Sequence, residues 1–176
     1  VLVDDINLLS MDLLALLMEP VERGSELIER EGITQVRESR FMVVATMNPE
    51  EGDLSPHFTD RFGLCAVMET LSGKDERLAV MRLAASQPVF EAEPDPAEAK
   101  KIAAAVKLLP NVEVSADILD YLSETALRNI SPGHRGDIFL FHAARAYAAL
   151  QGAAQVEKEH VDRVSNLVFA HRRLFL

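Results

Sequence analysis

The chain has 176 residues, 48% of them apolar, with 18 Lys plus Arg against 28 Asp plus Glu, a formal charge of −10. That mix fits one globular domain, or a domain and a half, with room for a sizeable core, and the acidic balance gives duplex nucleic acid no electrostatic footprint, so nucleic acid is disfavoured as a partner. The single Cys65 excludes an internal disulfide and points to a reducing compartment, the cytoplasm. No run nears the ~18 apolar residues of a membrane span, and VLVDDINLL lacks the basic start of a signal peptide.

In chain order, Val1 to Val3 is an apolar run that stops at Asp4 and Asp5, as the second half of a buried strand does. Starting in mid-strand implies that the preceding elements are absent from this chain. Residues 9–23 have helical apolar spacing, with Ser10 as N-cap and Gly24 as the stop. Residues 26–31 and 34–37 flank Gly32 and predict a hairpin with charged, solvated faces. The β-branched runs at 41–46 and 64–68 predict two fully buried parallel strands.

Beyond residue 70 the pattern changes to helical spacing broken by Pro, Gly and Asn. Helices are predicted at 74–86, 96–109, 115–129, 133–150 and 157–173, with an exposed connection at 87–94. Asp95-Pro96 and Ser115-Ala116-Asp117 are start signals. Charge shifts at the same place: residues 1–70 hold 14 acids and 5 bases, and residues 71–176 hold 14 acids and 13 bases. The division expected is an α/β piece over 1–70 and an all-helical piece over 71–176.

Four local patterns could carry chemistry. Asp4 and Asp5 follow a strand, where open α/β sheets place ligands and where acids hold magnesium or orient water; the same pair also suits an ordinary helix cap. Asn48, after the 41–46 run, can donate to a phosphate or a water, although Asn-Pro is also a turn signal. Arg61, in DRFG, is either an ion-pair partner of Asp60 or a cation offered to a neighbouring subunit's nucleotide. Arg135, in SPGHRGDI, stands in the first turn of a helix, where a cation opposes the helix dipole; an anionic ligand, Asp137 or another carboxylate would offset that cost.

Taken together and in this order, VDDINLL, VERGSELIEREGI, ATMNPEEGDL, DRFGL, HRGDI, HAARAYAAL and AHRRL resemble the AAA+ ATPases, and among them the magnesium chelatase ATPase subunit family. The likeness runs from Val1 to about Leu174 and is weaker over 72–114. It implies the later part of an AAA+ nucleotide-binding sheet layer, from Walker B onward, followed by an all-helical lid. It assigns Asp4 and Asp5 to Walker B, with Asp4 on magnesium through water, Asn48 to sensor 1, Arg61 to the arginine finger and Arg135 to sensor 2. The cofactors implied are ATP and Mg2+. The partners are further copies in a ring, expected to be a hexamer, with the sister AAA+ subunit and the porphyrin-binding subunit of the chelatase. The activity implied is ATP hydrolysis that drives magnesium insertion into protoporphyrin IX in chlorophyll synthesis.

Two departures weigh against full activity. No G-x-x-x-x-G-K-[ST] occurs in the sequence, so the phosphate-cradling loop and its Lys are missing, and the chain is expected to be inactive alone. Asp5 stands where active members of the family usually have Glu, and its side chain is one methylene shorter. The alternatives are a non-hydrolysing scaffold like the sister subunit, or an AAA+ chaperone of the MoxR type. The five histidines lack zinc-ligand spacing, and Cys65 reads as a small core residue. Glu29 to Glu31, Arg172 and Arg173 read as solvated charges.

Overall fold

The computed structural model describes residues 1–30, 32–86, 95–129 and 133–172. They form two compact units, Val1–Phe62 and Gly63–Leu176. The units divide ahead of the shift in composition near residue 70, so the stretch after Gly63 goes with the helical unit.

In the first unit, β1 (Leu2–Val3) leads through a single 3-10 turn at Ile6–Leu8 into α1 (Met11–Arg23). Ser10 accepts from the Leu13 N–H at 3.4 Å, and Gly24 closes α1 at φ 66°, where its own N–H reaches the Pro20 carbonyl at 2.8 Å. One stripe of α1, Leu14 and Met18, is buried with Ile6, Leu54 and Phe58. Strands β2 (Ser25–Arg30) and β3 (Ile33–Glu38) pair antiparallel from Ser25↔Glu38 to Arg30↔Ile33, around Gly32 at φ 77°. Every residue of β3 is exposed, as the charged sequence predicts.

The predicted strand at 41–46 shortens to β4 (Val44–Ala45), which pairs parallel with β1 in the register Leu2↔Val44 and Val3↔Ala45. The parallel direction matches the expectation, but the full burial does not. Leu2, Met42 and Val44 are all exposed, because this two-stranded ladder is covered on neither side at those positions. A turn at Pro49–Glu51 and the short α2 (Pro56–Thr59) complete the unit.

In the second unit the run at 64–68 is not a strand. It has no ladder partner among the described residues; the Cys65 N–H bonds the Leu167 carbonyl at 2.8 Å, while Met68 is exposed. A β-branched apolar run sets extended φ/ψ, but a strand also needs a neighbour to accept its ladder.

The five helices follow the predicted spacing: α3 (Lys74–Ala85), α4 (Pro96–Leu108), α5 (Ala116–Arg128), α6 (Arg135–Leu150) and α7 (Lys158–Phe169). Most of their N-terminal ends are set by side chains. Glu76 accepts from the Gly73 N–H at 3.1 Å, Asp95 from Ala97 at 2.8 Å, and Ser115 from Ile118 at 3.4 Å. The predicted connection at 87–94 lies outside the described residues. Helix α6 forms the centre: α4, α5 and α7 all pack on it. Its buried positions are Gly136, Leu140, Ala144, Ala148 and Ala149, and these small residues let α7 bring Val161, Val164, Val168 and Phe169 close. The Tyr121 hydroxyl donates to Asp162 at 2.7 Å and ties α5 to α7, and that carboxylate acceptor raises the phenol pKa.

Stability of the helical unit therefore rests on the α6–α7 contact. Phe169→Ala and Leu140→Ala are expected to cost about 3–5 and about 2–5 kcal/mol respectively, whereas Leu127→Ala at an exposed position should stay within about 0.5 kcal/mol. Urea denaturation followed by circular dichroism measures all three.

Candidate functional site

The two strands of the parallel pair end side by side, which brings Asp4, Asp5 and the segment from Thr46 to Asn48 together. Thr46 joins them. Its hydroxyl donates to Asp4 Oδ1 and accepts from the Asp5 N–H at 3.0 Å, so one oxygen serves both acids. The Ile6 N–H adds a bond to the Thr46 carbonyl at 2.9 Å. Asp5 turns the chain away from the strand in the left-handed region at φ 48°, a conformation that Asp tolerates better than most residues. Its carbonyl then accepts from the Leu8 N–H and starts the 3-10 turn.

Asn48 makes the turn that its Asn-Pro sequence announces. Its side-chain oxygen accepts from the Glu50 N–H at 3.1 Å and caps the Pro49–Glu51 turn. That leaves the Nδ2 donors unengaged among the described residues, so the turn and a donor role are compatible. The loop is anchored by Asn7, whose Nδ2 donates to the Asn48 carbonyl at 3.0 Å and to the Gly52 carbonyl at 2.8 Å. Sequence reasoning missed Thr46 and Asn7 as site residues. The signal available for Asn7 was a polar amide placed next to the buried Ile6, where it must find backbone partners.

Arg61 follows α2 and makes none of its recorded contacts with the acids. Its Nη2 is 2.8 Å from His57 Nε2, its Nε is 3.5 Å from Glu22 Oε1, and its guanidinium lies 5.1 Å from the centre of the Phe58 ring. The side chain is only 15% exposed. Where the sequence offered Asp60 as its ion-pair partner, Glu22 and His57, on α1 and α2, come to it through the tertiary fold. Arg135 begins α6 and so belongs to the other compact unit, half-buried and with a partner of its own. Asp137, one candidate to balance it, lies 3.1 Å from His134 Nδ1.

Oxygen donors dominate the strand ends. Carboxylate and hydroxyl oxygens are the hard donors that magnesium takes, although no group of three or more His, Cys, Asp or Glu is gathered around a metal position among the described residues. Burial pushes the half-buried Cys65 thiol pKa up, the direction opposite to that of an activated nucleophile. Arg172, expected as a solvated charge, is buried instead: it bonds the Val168 carbonyl and stacks 5.2 Å from the Phe139 ring centre. Arg173 lies outside the described residues.

The AAA lid domain family matches residues 119–175. The magnesium-chelatase 38 kDa subunit of Acidiphilium rubrum is 35% identical over 97% of the chain, and a magnesium-chelatase subunit ChlI homologue of Methanocaldococcus jannaschii is 34% identical over 97%. The chain spans about half the length of these relatives, 51% and 48% respectively. Among solved structures, a putative ATPase from Cytophaga hutchinsonii superposes with a TM-score of 0.70 over 97% of this chain and 57% of its own, at 22% identity, a likeness of fold.

The Thr46 bridge yields a direct expectation. Thr46→Val keeps the shape and the β-branch but removes both bonds, and should lower stability by about 0.5–1.5 kcal/mol for each; Thr46→Ser should retain most of it. Chemical denaturation of the two variants beside the parent is the measurement.

Proposed function

We propose that the chain, similar to magnesium-chelatase subunits along 97% of its length and to the AAA lid domain over residues 119–175, carries the Walker B to sensor 2 segment of an AAA+ ATPase motor subunit of that family. In this reading residues 1–70 are the later part of the nucleotide-binding layer and residues 71–176 are the lid. The motor works as a ring of copies, a hexamer, in the cytoplasm. It couples ATP hydrolysis to magnesium insertion into protoporphyrin IX, together with a sister AAA+ subunit and a porphyrin-binding subunit.

The observation that carries the proposal is the parallel β1–β4 pair, which sets the acids of VDDIN beside the Thr46–Asn48 segment of ATMNP. Magnesium-ATP, when bound, supplies the transferable phosphoryl group and the cation that offsets its charge. Asp4, steadied by the Thr46 hydroxyl, would hold the cation through water. Asp5 receives a proton from the attacking water at its carboxylate. Asn48 offers Nδ2 to a phosphate oxygen or to that water. Arg61 acts in trans and brings its charge to the neighbouring nucleotide, where such residues contribute about 10³–10⁵ in rate. Arg135, at the N-terminal end of α6, adds its charge to the positive end of the helix dipole and so favours an anionic partner, in cis or from the adjacent lid.

A second reading, a non-hydrolysing scaffold, draws support from Asp5 in place of Glu. Hydrolysis by the full gene product, with and without partner subunits, separates the two. The motor predicts that Asp5→Asn stops turnover while ATP still binds, and that Arg61→Ala does the same and recovers activity when mixed with a Walker B variant. Equal rates for parent and Asp5→Asn leave the scaffold. Calorimetric titration of the 176-residue chain alone should show ATP affinity weaker than micromolar, because its residues lack the loop that grips the β and γ phosphates.

A further inference from the structure

Arg61 is held on three sides. Glu22 faces Nε at 3.5 Å from α1, His57 faces Nη2 at 2.8 Å from α2, and the Phe58 ring lies against the guanidinium plane, 5.1 Å from its centroid. A guanidinium has five N–H donors in a rigid fork; Nη2 bonds His57, while the buried Nε makes no hydrogen bond and meets Glu22 only as an ion pair. The Nη1 edge has no protein partner among the described residues. With 15% of the side chain exposed, a long flexible cation is reduced to one presented edge.

An unsupported arginine loses rotamer freedom when it meets an anion, and that loss offsets the gain. Holding the fork beforehand removes that cost, and electrostatic catalysis depends on donors already aimed at the place where charge develops. His57 bonds Arg61 only through a ring nitrogen without a proton, so it acts as a neutral acceptor. Glu22 supplies a single countercharge, and at 3.5 Å it stands beyond an ideal charge-assisted bond, a distance that offsets the cation's burial without capturing it bidentately.

We propose that Glu22 and His57 are positioning residues that hold the Arg61 guanidinium so that its Nη1 edge faces an anionic group, a phosphate oxygen, on a neighbouring copy of the chain. This rests on the reading of Arg61 as a cation acting in trans. Phe58 completes the holder, but it also lies in the buried cluster with Leu14 and Met18, so its removal would disturb the fold. Glu22 and the exposed His57 do not belong to that core.

Two measurements test it. In the 176-residue chain with labelled arginine, NMR reads rotation about the Nε–Cζ bond of Arg61. Rotation slower than that of the exposed Arg40 is expected, becoming fast in Glu22→Ala and His57→Ala and staying slow in His57→Gln, whose amide oxygen replaces the acceptor. Rotation in the parent as fast as that of Arg40 overturns the proposal without any assay of turnover. In the full gene product, His57→Ala and Glu22→Ala should lower kcat by about 10–10²-fold with the KM for ATP unchanged, and His57→Gln should restore it. If Arg61→Ala abolishes turnover while the Glu22 and His57 variants match the parent, positioning is refuted and the trans reading of Arg61 survives. If Arg61→Ala turns over like the parent, or the parent does not turn over, the trans reading falls and this inference with it.

Discussion

A ladder of only two residue pairs, Leu2↔Val44 and Val3↔Ala45, runs parallel, and the candidate site depends on that direction. Antiparallel pairing would send the Asp4–Asp5 pair and Asn48 to opposite ends. Parallel pairing sets them at the same end, where the helix-forming segments take over. So short a ladder holds little by itself. It is reinforced beyond the strands by the Ile6 amide on the Thr46 carbonyl, the Thr46 hydroxyl between the two acids, and the two bonds of Asn7. Main-chain geometry and side-chain chemistry are thus joined at one threonine. Its oxygen orients a carboxylate and at the same time satisfies the amide of a residue in the left-handed conformation.

Burial is divided unequally between the units. Among the described residues, thirteen buried apolar residues form the core of the helical unit and five that of the first unit. Stability therefore resides mainly in α4 to α7, where the alanines of α6 set the helix spacing. The first unit has several large apolar side chains in water, Leu2, Leu13, Leu16 and Val44 among them. Its small cluster is still well placed: Leu14, Met18 and Phe58 bind α1 to α2, and that contact carries Glu22 and His57 to Arg61. The same packing that stabilises the unit aligns its candidate cation.

Helices were more legible than strands, for a physical reason. A helix satisfies its own backbone, so a cap and an apolar stripe are enough to announce it; Ser10, Gly24, Asp95 and Ser115 each stand within a residue of an observed end. A strand is satisfied by another segment, and residues 41–46 and 64–68 show the consequence. Both carry β-branched apolar residues, yet among the described residues only Val44 and Ala45 find a ladder partner, and 64–68 is tied to α7 by the Cys65 N–H instead. The hairpin around Gly32 was readable because both its strands and its turn are contiguous in sequence.

The sequence by itself determined the helix positions, the hairpin, the acids after the first apolar run, and the family likeness that its motifs carry. Each of these depends on residues close together along the chain. Only the tertiary structure decided that β1 and β4 share two residues and no more, that Thr46 and Asn7 tie the turn after β1 to the Thr46–Gly52 segment, and that Arg61 turns to Glu22 and His57. About forty residues separate Thr46 from Asp4 and Glu22 from Arg61. No local pattern encodes such a contact, because its geometry is set by where α1 and the parallel pair come to rest in the packed unit.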